Sequence, residues 1–161
     1  MRTHEEVLDI YTDGAARGNP GKGGYGIVMK WKGKRKEMSA GYRYTTNNRM
    51  ELLAVIVALE TLKRDGLHIR ITTDSKYVAD AVEKKWVFGW VKNRFKNKKN
   101  QDLWLRFLDS YHKHQIRFFW VKGHASHPEN NRCDELATQA ADGTDLLTDE
   151  WFEQHKEQEL L

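Results

Sequence analysis

Four carboxylates and one histidine are the residues of this 161-residue sequence whose types and placement could do chemistry. Asp13 stands in Tyr11-Thr12-Asp13-Gly14, Glu51 in Asn48-Arg49-Met50-Glu51-Leu52 and Asp74 in Thr72-Thr73-Asp74-Ser75, each at one end of an apolar run. Asp134 lies in the stretch from Gly123 to Ala137, which also holds His124 and His127. Carboxylates brought together repel unless cations neutralise them. Hard oxygen donors without cysteine or several nearby histidines select Mg²⁺ or Mn²⁺ over zinc. Two such ions about 4 Å apart can stabilise both the attacking and the leaving oxygen of an in-line phosphodiester displacement. His124 titrates near neutrality and suits a proton carrier or an aid to product departure, two roles that the sequence leaves open. His127 reads as a residue that holds its own loop together.

The elements that must position these groups can be read in outline. Val7 to Thr12 is a strand ending at Asp13, and Gly14 to Gly24 reads as a glycine-rich turn. That turn lacks a Gly-Lys-Ser/Thr ending and opens no helix, which argues against a nucleotide-triphosphate loop. Tyr25 to Trp31 and Arg35 to Tyr44 are predicted strands joined by a hairpin at Lys32-Gly33-Lys34. Thr46 or Asn47 caps an almost wholly apolar helix from Met50 to Leu62, with Gly66 beyond its end. So close to Leu52, Leu53 and Val55, Glu51 must reach solvent or be paired with a cation. Leu67 to Thr73 is a fourth strand ending at Asp74, Ser75 opens a helix, and Asp102 to Tyr111 is a helix with one core face. Ile116 to Val121 is the fifth strand. Asn130 is the expected N-cap of a last helix running towards Asp142, with Asp134 in its first turns and Gly143 as its stop. Hairpin strands followed by alternating helices and strands imply a mixed α/β sheet.

Charge is distributed unevenly. The chain is +4 in total, yet from Asp142 to Leu161 seven acids stand against Lys156 alone, so residues 1–141 carry +10. A basic body suggests a polyanionic partner. Between Lys84 and Gln101 there are seven basic residues and no acid, with Trp86, Phe88, Trp90 and Phe95 interleaved. Aromatics within a cluster of one sign favour binding to a nucleic-acid backbone. No apolar run approaches the ~20 residues of a membrane span, and the N-terminus lacks a secretory pattern. The single cysteine, Cys133, excludes an intramolecular disulfide and suits a reducing cytoplasm.

Several motifs, in this order, carry a family resemblance: TDGAARGNPGKGGYG, TTNNRMELLA, TTDSKYV, the basic segment from Trp86 to Trp104, and WVKGHASHPENNRCDELA. The chain closely resembles bacterial type 1 ribonuclease H from Leu8 to about Gly143. The resemblance implies the ribonuclease H fold, a five-stranded mixed sheet flanked by helices. It implies a catalytic domain over residues 1–143, followed by an acidic tail over 144–161. It further implies that Asp13, Glu51, Asp74 and Asp134 converge on two Mg²⁺ ions, for which Mn²⁺ could substitute. Asp13 would bridge both ions, Asp134 would complete the ion that activates water, and Glu51 and Asp74 would hold the ion at the leaving 3′ oxygen. The products would carry 5′-phosphate and 3′-hydroxyl ends.

By the same resemblance the partner is an RNA/DNA hybrid, bound by a cytoplasmic monomer away from any membrane. Gly14, Asn19, Asn47 and Glu51 match positions that face the RNA strand, where 2′-hydroxyls distinguish RNA. Thr46 and Asn19 resemble part of a pocket for a DNA phosphate, and Trp86 resembles a residue that packs on a deoxyribose. Lys92, Arg94, Lys96, Lys98 and Lys99 belong to the family's projecting basic handle, here shorter than in the longest bacterial versions and with Arg94-Phe95 in place of Gly-Trp. Two other classes make different demands on the sequence. A noncatalytic hybrid-binding module predicts loss of an acid, and all four are present. A transposase or integrase core would need additional DNA-binding domains.

Overall fold

The first strand organises the sheet because it accepts neighbours on both edges. In the computed structural model, which describes residues 6–123 and 127–160, β1 (Val7–Arg17) pairs antiparallel with β2 (Gly21–Trp31) and parallel with β4 (His68–Thr73). β2 continues antiparallel into β3 (Lys34–Thr45), and β5 (Gln115–Trp120) lies parallel to β4. The predicted five strands are joined by a sixth. β6 (Leu146–Leu147) pairs parallel with β3, giving the order β5-β4-β1-β2-β3-β6. Two residues within an acidic segment carry no strand pattern of their own, so only the neighbouring edge reveals them.

The glycine-rich segment departs from its reading as a turn. β1 runs on to Arg17 and β2 begins at Gly21, leaving only the residues between them to turn the chain. The glycines serve close packing instead. A Cβ on Gly24 would stand 2.4 Å from the carbonyl oxygen of Ala137, and one on Gly26 would stand 2.2 Å from that of Cys133. Both carbonyls belong to α5 (Pro128–Ala141), which can lie on this face of the sheet only where side chains are missing.

The opposite face carries α1 (Asn47–Glu60), capped by Thr46, whose hydroxyl accepts from the Arg49 N–H at 3.2 Å. α1 is buried nearly all round because it lies between the sheet and α4 (Gln101–Tyr111). The predicted Asn130 cap of α5 is also corrected. His127 occupies the cap and Pro128 opens the helix, where proline's missing N–H costs nothing and its φ is already helical. Asn130 therefore falls within the first turn.

α2 (Lys76–Glu83) leads into the basic segment, which forms α3 (Trp86–Lys92) and then an irregular stretch with Arg94, Phe95, Asn97 and Asn100 at positive φ. Its aromatics are less available than expected. Phe95 is buried, and Phe88 and Trp90 pack against the core; Trp86 remains exposed. The acidic segment is packed as well. Phe152, on α6 (Glu150–Leu160), is fully buried, and Asp149 is ion-paired to Arg49.

Candidate active site

Three carboxylates meet where the parallel strands end. Thr12 and Thr73 are register partners in β1 and β4, so Asp13 and Asp74, each one residue further on, emerge side by side. Glu51 enters from the N-terminal part of α1. One oxygen from each of Asp13, Glu51 and Asp74 lies within 4.8 Å of the other two. Asp134, exposed on α5, lines a small cleft with Asp13, Asp74, Asn130 and Asn131. At about 40 Å³ the cleft admits a few waters or small ions, not a nucleotide. A polymer would have to lie across its mouth.

Local features hold each acid in place. The Gly14 N–H donates to Asp13 Oδ1 at 2.9 Å and also to Glu51 Oε1, tying the two carboxylates to one backbone group. Gly14 must be glycine, since a Cβ there would stand 2.4 Å from the Glu51 nitrogen. Asp74 sits at a strand-to-helix junction. There Thr73 Oγ1 accepts from the Ser75 N–H at 3.0 Å, Ser75 Oγ caps α2 through Val78, and the Trp120 indole donates to the Asp74 carbonyl at 3.0 Å. On the α5 side, Cys133 is buried and its thiol donates to the Tyr11 carbonyl at 3.2 Å, joining the helix that bears Asp134 to β1.

The electrostatics of the cluster are unbalanced. Asp13 and Glu51 are 6 % and 4 % exposed, and among the described residues no lysine or arginine is bonded to Asp13, Glu51 or Asp74. Burial is the main cause that lifts the Asp13 carboxyl to about 8; a hydrogen bond with Glu51 lowers it, and the Asp74 and Asp134 charges raise it further. Burial and then the charges of Asp13 and Asp74 hold Glu51 well above the usual carboxylate range, with the Gly14 N–H pulling the other way. Two adjacent carboxylates in this position share a proton in the absence of a cation. Hard oxygen donors, close together and with no lysine or arginine bonded to them among the described residues, fit Mg²⁺ or Mn²⁺.

The remaining predicted positions fall into two groups. Asn19, Thr46 and Asn47 lie together at the start of α1, where the Asn47 N–H donates to Asn19 Oδ1 at 3.1 Å. Trp86 is 47 % exposed, and the Lys84 ammonium stands 5.2 Å from its ring centroid. Lys92, Arg94, Lys96, Lys98 and Lys99 are all exposed. His124 lies outside the described residues. Two residues that the sequence did not mark for function also bear on the site. Asn130 lines the cleft, and its buried side-chain amide has no hydrogen-bond partner among the described residues. Arg49, two residues before Glu51, is 1 % exposed and anchors the start of α1 by ion pairs to Asp102 and Asp149. An arginine beside an apolar run is its only signal, and its partners lie 53 and 100 positions away.

Comparison with known proteins decides the family. The family model described as RNase H matches residues 5–142. The chain belongs to the RNase H family. Ribonuclease H of Desulforamulus reducens is 53% identical over 154 residues, covering 92% of this chain and 96% of that protein. Ribonuclease H of Rippkaea orientalis is 50% identical over 158 residues, covering 95% of this chain and 96% of that protein. Among solved structures, LC9-RNase H1, described as a type 1 RNase H with the type 2 active-site motif, is similar at a TM-score of 0.77 and 28% identity. That match covers 94% of this chain and 83% of the other. LC11-RNase H1 in complex with RNA/DNA hybrid is similar at a TM-score of 0.66 and 28% identity, covering 84% of this chain and 96% of the other. The mixed sheet with its acids at the strand ends is thus a ribonuclease H fold, and the chain is a ribonuclease H enzyme.

Proposed function

We infer that the chain hydrolyses the RNA strand of RNA/DNA hybrids with two Mg²⁺ ions, leaving 5′-phosphate and 3′-hydroxyl ends. The observation that carries this reading is the convergence of Asp13, Glu51 and Asp74, to which no lysine or arginine is bonded among the described residues, although Lys122 lines the same cleft. Asp13 would serve both ions, Asp134 the one on the side of the attacking water, and Glu51 and Asp74 the one on the side of the leaving oxygen. When bound, the ions supply Lewis-acid stabilisation of charge on the attacking and leaving oxygens.

The chain's own groups do the positioning. Gly14 fixes the Asp13 and Glu51 carboxylates through one N–H. Asn19, Thr46 and Asn47 form a polar edge beside Glu51, suited to backbone and 2′-hydroxyl contacts. Trp86 offers an exposed ring to a deoxyribose, and Lys92, Arg94, Lys96, Lys98 and Lys99 offer charge to phosphates of the DNA strand. Such contacts read backbone and shape, so little base-sequence preference is expected. His124 would carry a proton or aid product departure. We read the protein as a cytoplasmic monomer; no helix among the described residues is long and apolar enough to cross a membrane, and Cys133 is a free, buried thiol.

The test is a cleavage assay on labelled RNA/DNA hybrid beside RNA/RNA and DNA/DNA duplexes, with and without Mg²⁺. Mg²⁺-dependent cutting confined to the RNA of the hybrid is the expected result. Cutting of DNA/DNA, or binding of hybrid without cutting, would reassign the chain.

A further inference from the structure

The sheet is covered unequally. On one face α5 packs on β1, β2 and β3, while β4 and β5 beside it keep side chains open to solvent. Strand register sets out what stands there. Tyr11, Thr72 and Phe119 form one row across β1, β4 and β5, and Asp9, Arg70 and Arg117 form another. The two rows are two residues apart along each strand, so they share a face and stand roughly 7 Å from each other. Ile10, Ile71 and Phe118, between the rows, point the other way into the core. Asp13 is the next residue of the open face on β1, so the patch begins at the carboxylate cluster.

The patch offers a ring and two guanidinium groups. Phe119 is 46 % exposed. Each arginine is oriented through its Nε, Arg70 by Asp9 at 2.6 Å and Arg117 by Glu83 at 3.2 Å. Their terminal nitrogens make no hydrogen bond among the described residues, which leaves them for phosphate oxygens. Beyond them His68, His114 and Gln115 line an open hollow of about 630 Å³ and add polar groups for bases and 2′-hydroxyls. The histidines are no metal site, because among the described residues only the three carboxylates come within reach of one ion. A peptide strand is also excluded here, since Glu83 accepts from the Phe118 N–H at 3.0 Å and occupies the outer edge of β5. A duplex hides the faces of its bases, whereas a single strand can lay one on an exposed ring while its phosphates meet arginines.

We propose that the open face of β1, β4 and β5 guides a single-stranded extension of the RNA strand as it leaves the carboxylates, with one base stacked on Phe119 and phosphates on Arg70 and Arg117. The choice of the RNA strand rests on the proposed hydrolysis of RNA at the cluster, because the strand held there is the one that meets the Phe119 row next. Hybrids with unpaired RNA beside the duplex are then bound more tightly than blunt ones.

The test is fluorescence anisotropy on the whole protein, with Ca²⁺ in place of Mg²⁺ so that the probes stay intact. The probes are labelled twelve-base-pair RNA/DNA hybrids. One is blunt, two carry six unpaired nucleotides at the 5′ or 3′ end of the RNA, and two carry them on the DNA. The expected result is at least fivefold tighter binding of one RNA-extended hybrid than of the blunt one. Arg117→Gln/Phe119→Ser should lose this gain and bind blunt hybrid as the wild type does. Phe119→Tyr, which keeps the ring, should retain it. Both side chains are exposed, and far-ultraviolet circular dichroism of the variants verifies the fold. No gain from either RNA extension would overturn the proposal, as would a gain undiminished in the double variant or an equal gain from a DNA extension. Cleavage of the blunt hybrid in Mg²⁺, measured in parallel, reports on the hydrolytic reading separately.

Discussion

Two buried charge clusters sit at the N-terminal end of α1, and they are neutralised in opposite ways. Arg49 donates to Asp149 at 2.7 and 3.0 Å and to Asp102 at 2.8 and 2.7 Å, while Thr45 donates to the same Asp149 at 2.7 Å. Here the chain supplies cation, anions and the accompanying hydrogen bonds. Two residues further along, Glu51 shares its site with Asp13 and Asp74, and no cation of the chain is bonded to them among the described residues. The first cluster is complete within the fold and fixes where α1 begins. The second has no such partner among the described residues and is proposed to be completed by ions from solution, which makes it a place for chemistry.

The contrast can be broken at either end. The largest expected effect is on turnover. Asp13→Asn removes a charge from the position proposed to serve both ions, and hybrid cleavage in Mg²⁺ should fall by ~10³-fold or more while hybrid binding persists. A variant that keeps a tenth of wild-type turnover would contradict the assignment. Next in size is a loss of stability at the completed cluster. Arg49→Met leaves Asp102 and Asp149 without their cation and should cost about 3–5 kcal/mol in urea unfolding. A change below about 1 kcal/mol would mean that the network does not hold the fold together.

The incomplete cluster predicts the opposite sign. The Asp13 carboxyl is raised from 3.8 to about 8 in the fold. Between those values the folded state binds more protons than the unfolded chain, so without metal its stability falls as pH rises through that window. Asp13→Asn should therefore stabilise the metal-free protein at pH 8 by up to about 5 kcal/mol, while gaining little near pH 4. Calorimetric melting at both pH values, with a chelator present, measures the difference. The smallest expected effect lies outside both clusters. Neutralising Lys96, Lys98 and Lys99 together should raise the Michaelis constant for hybrid a few-fold and flatten its salt dependence by up to about 0.9 per lost phosphate contact. Turnover at saturation should be unchanged. Equal slopes for wild type and variant, titrated in Ca²⁺, would remove these lysines from the binding surface.

What could be read from the sequence follows the same division. Asp13 and Asp74 were legible because each follows a short apolar strand, and Glu51 because a carboxylate among leucines demands explanation. Their convergence came from resemblance, since no local pattern links positions 13, 51 and 74. The network around Arg49 was not legible, because its acids lie in segments that read as a helix start and an acidic tail. Gly24 and Gly26 read as turn or strand fillers, and only the passage of α5 over them shows why no side chain is tolerated. Phe88, Trp90 and Phe95 read as a nucleic-acid surface because their spacing in an irregular basic segment has no core-facing period.

The carboxylate cluster, with no lysine or arginine bonded to it among the described residues, is proposed to take divalent ions in place of a cation from the chain. Titration calorimetry of Mg²⁺ into the protein at pH 7, in two buffers of different ionisation enthalpy, tests this proposal most directly. Ions bound at Asp13 must displace the proton held there, so Mg²⁺ binding at pH 7 should release protons, and the number released should decline as pH rises above about 8. Mg²⁺ binding that releases no proton at pH 7, or proton release undiminished in Asp13→Asn, would contradict it.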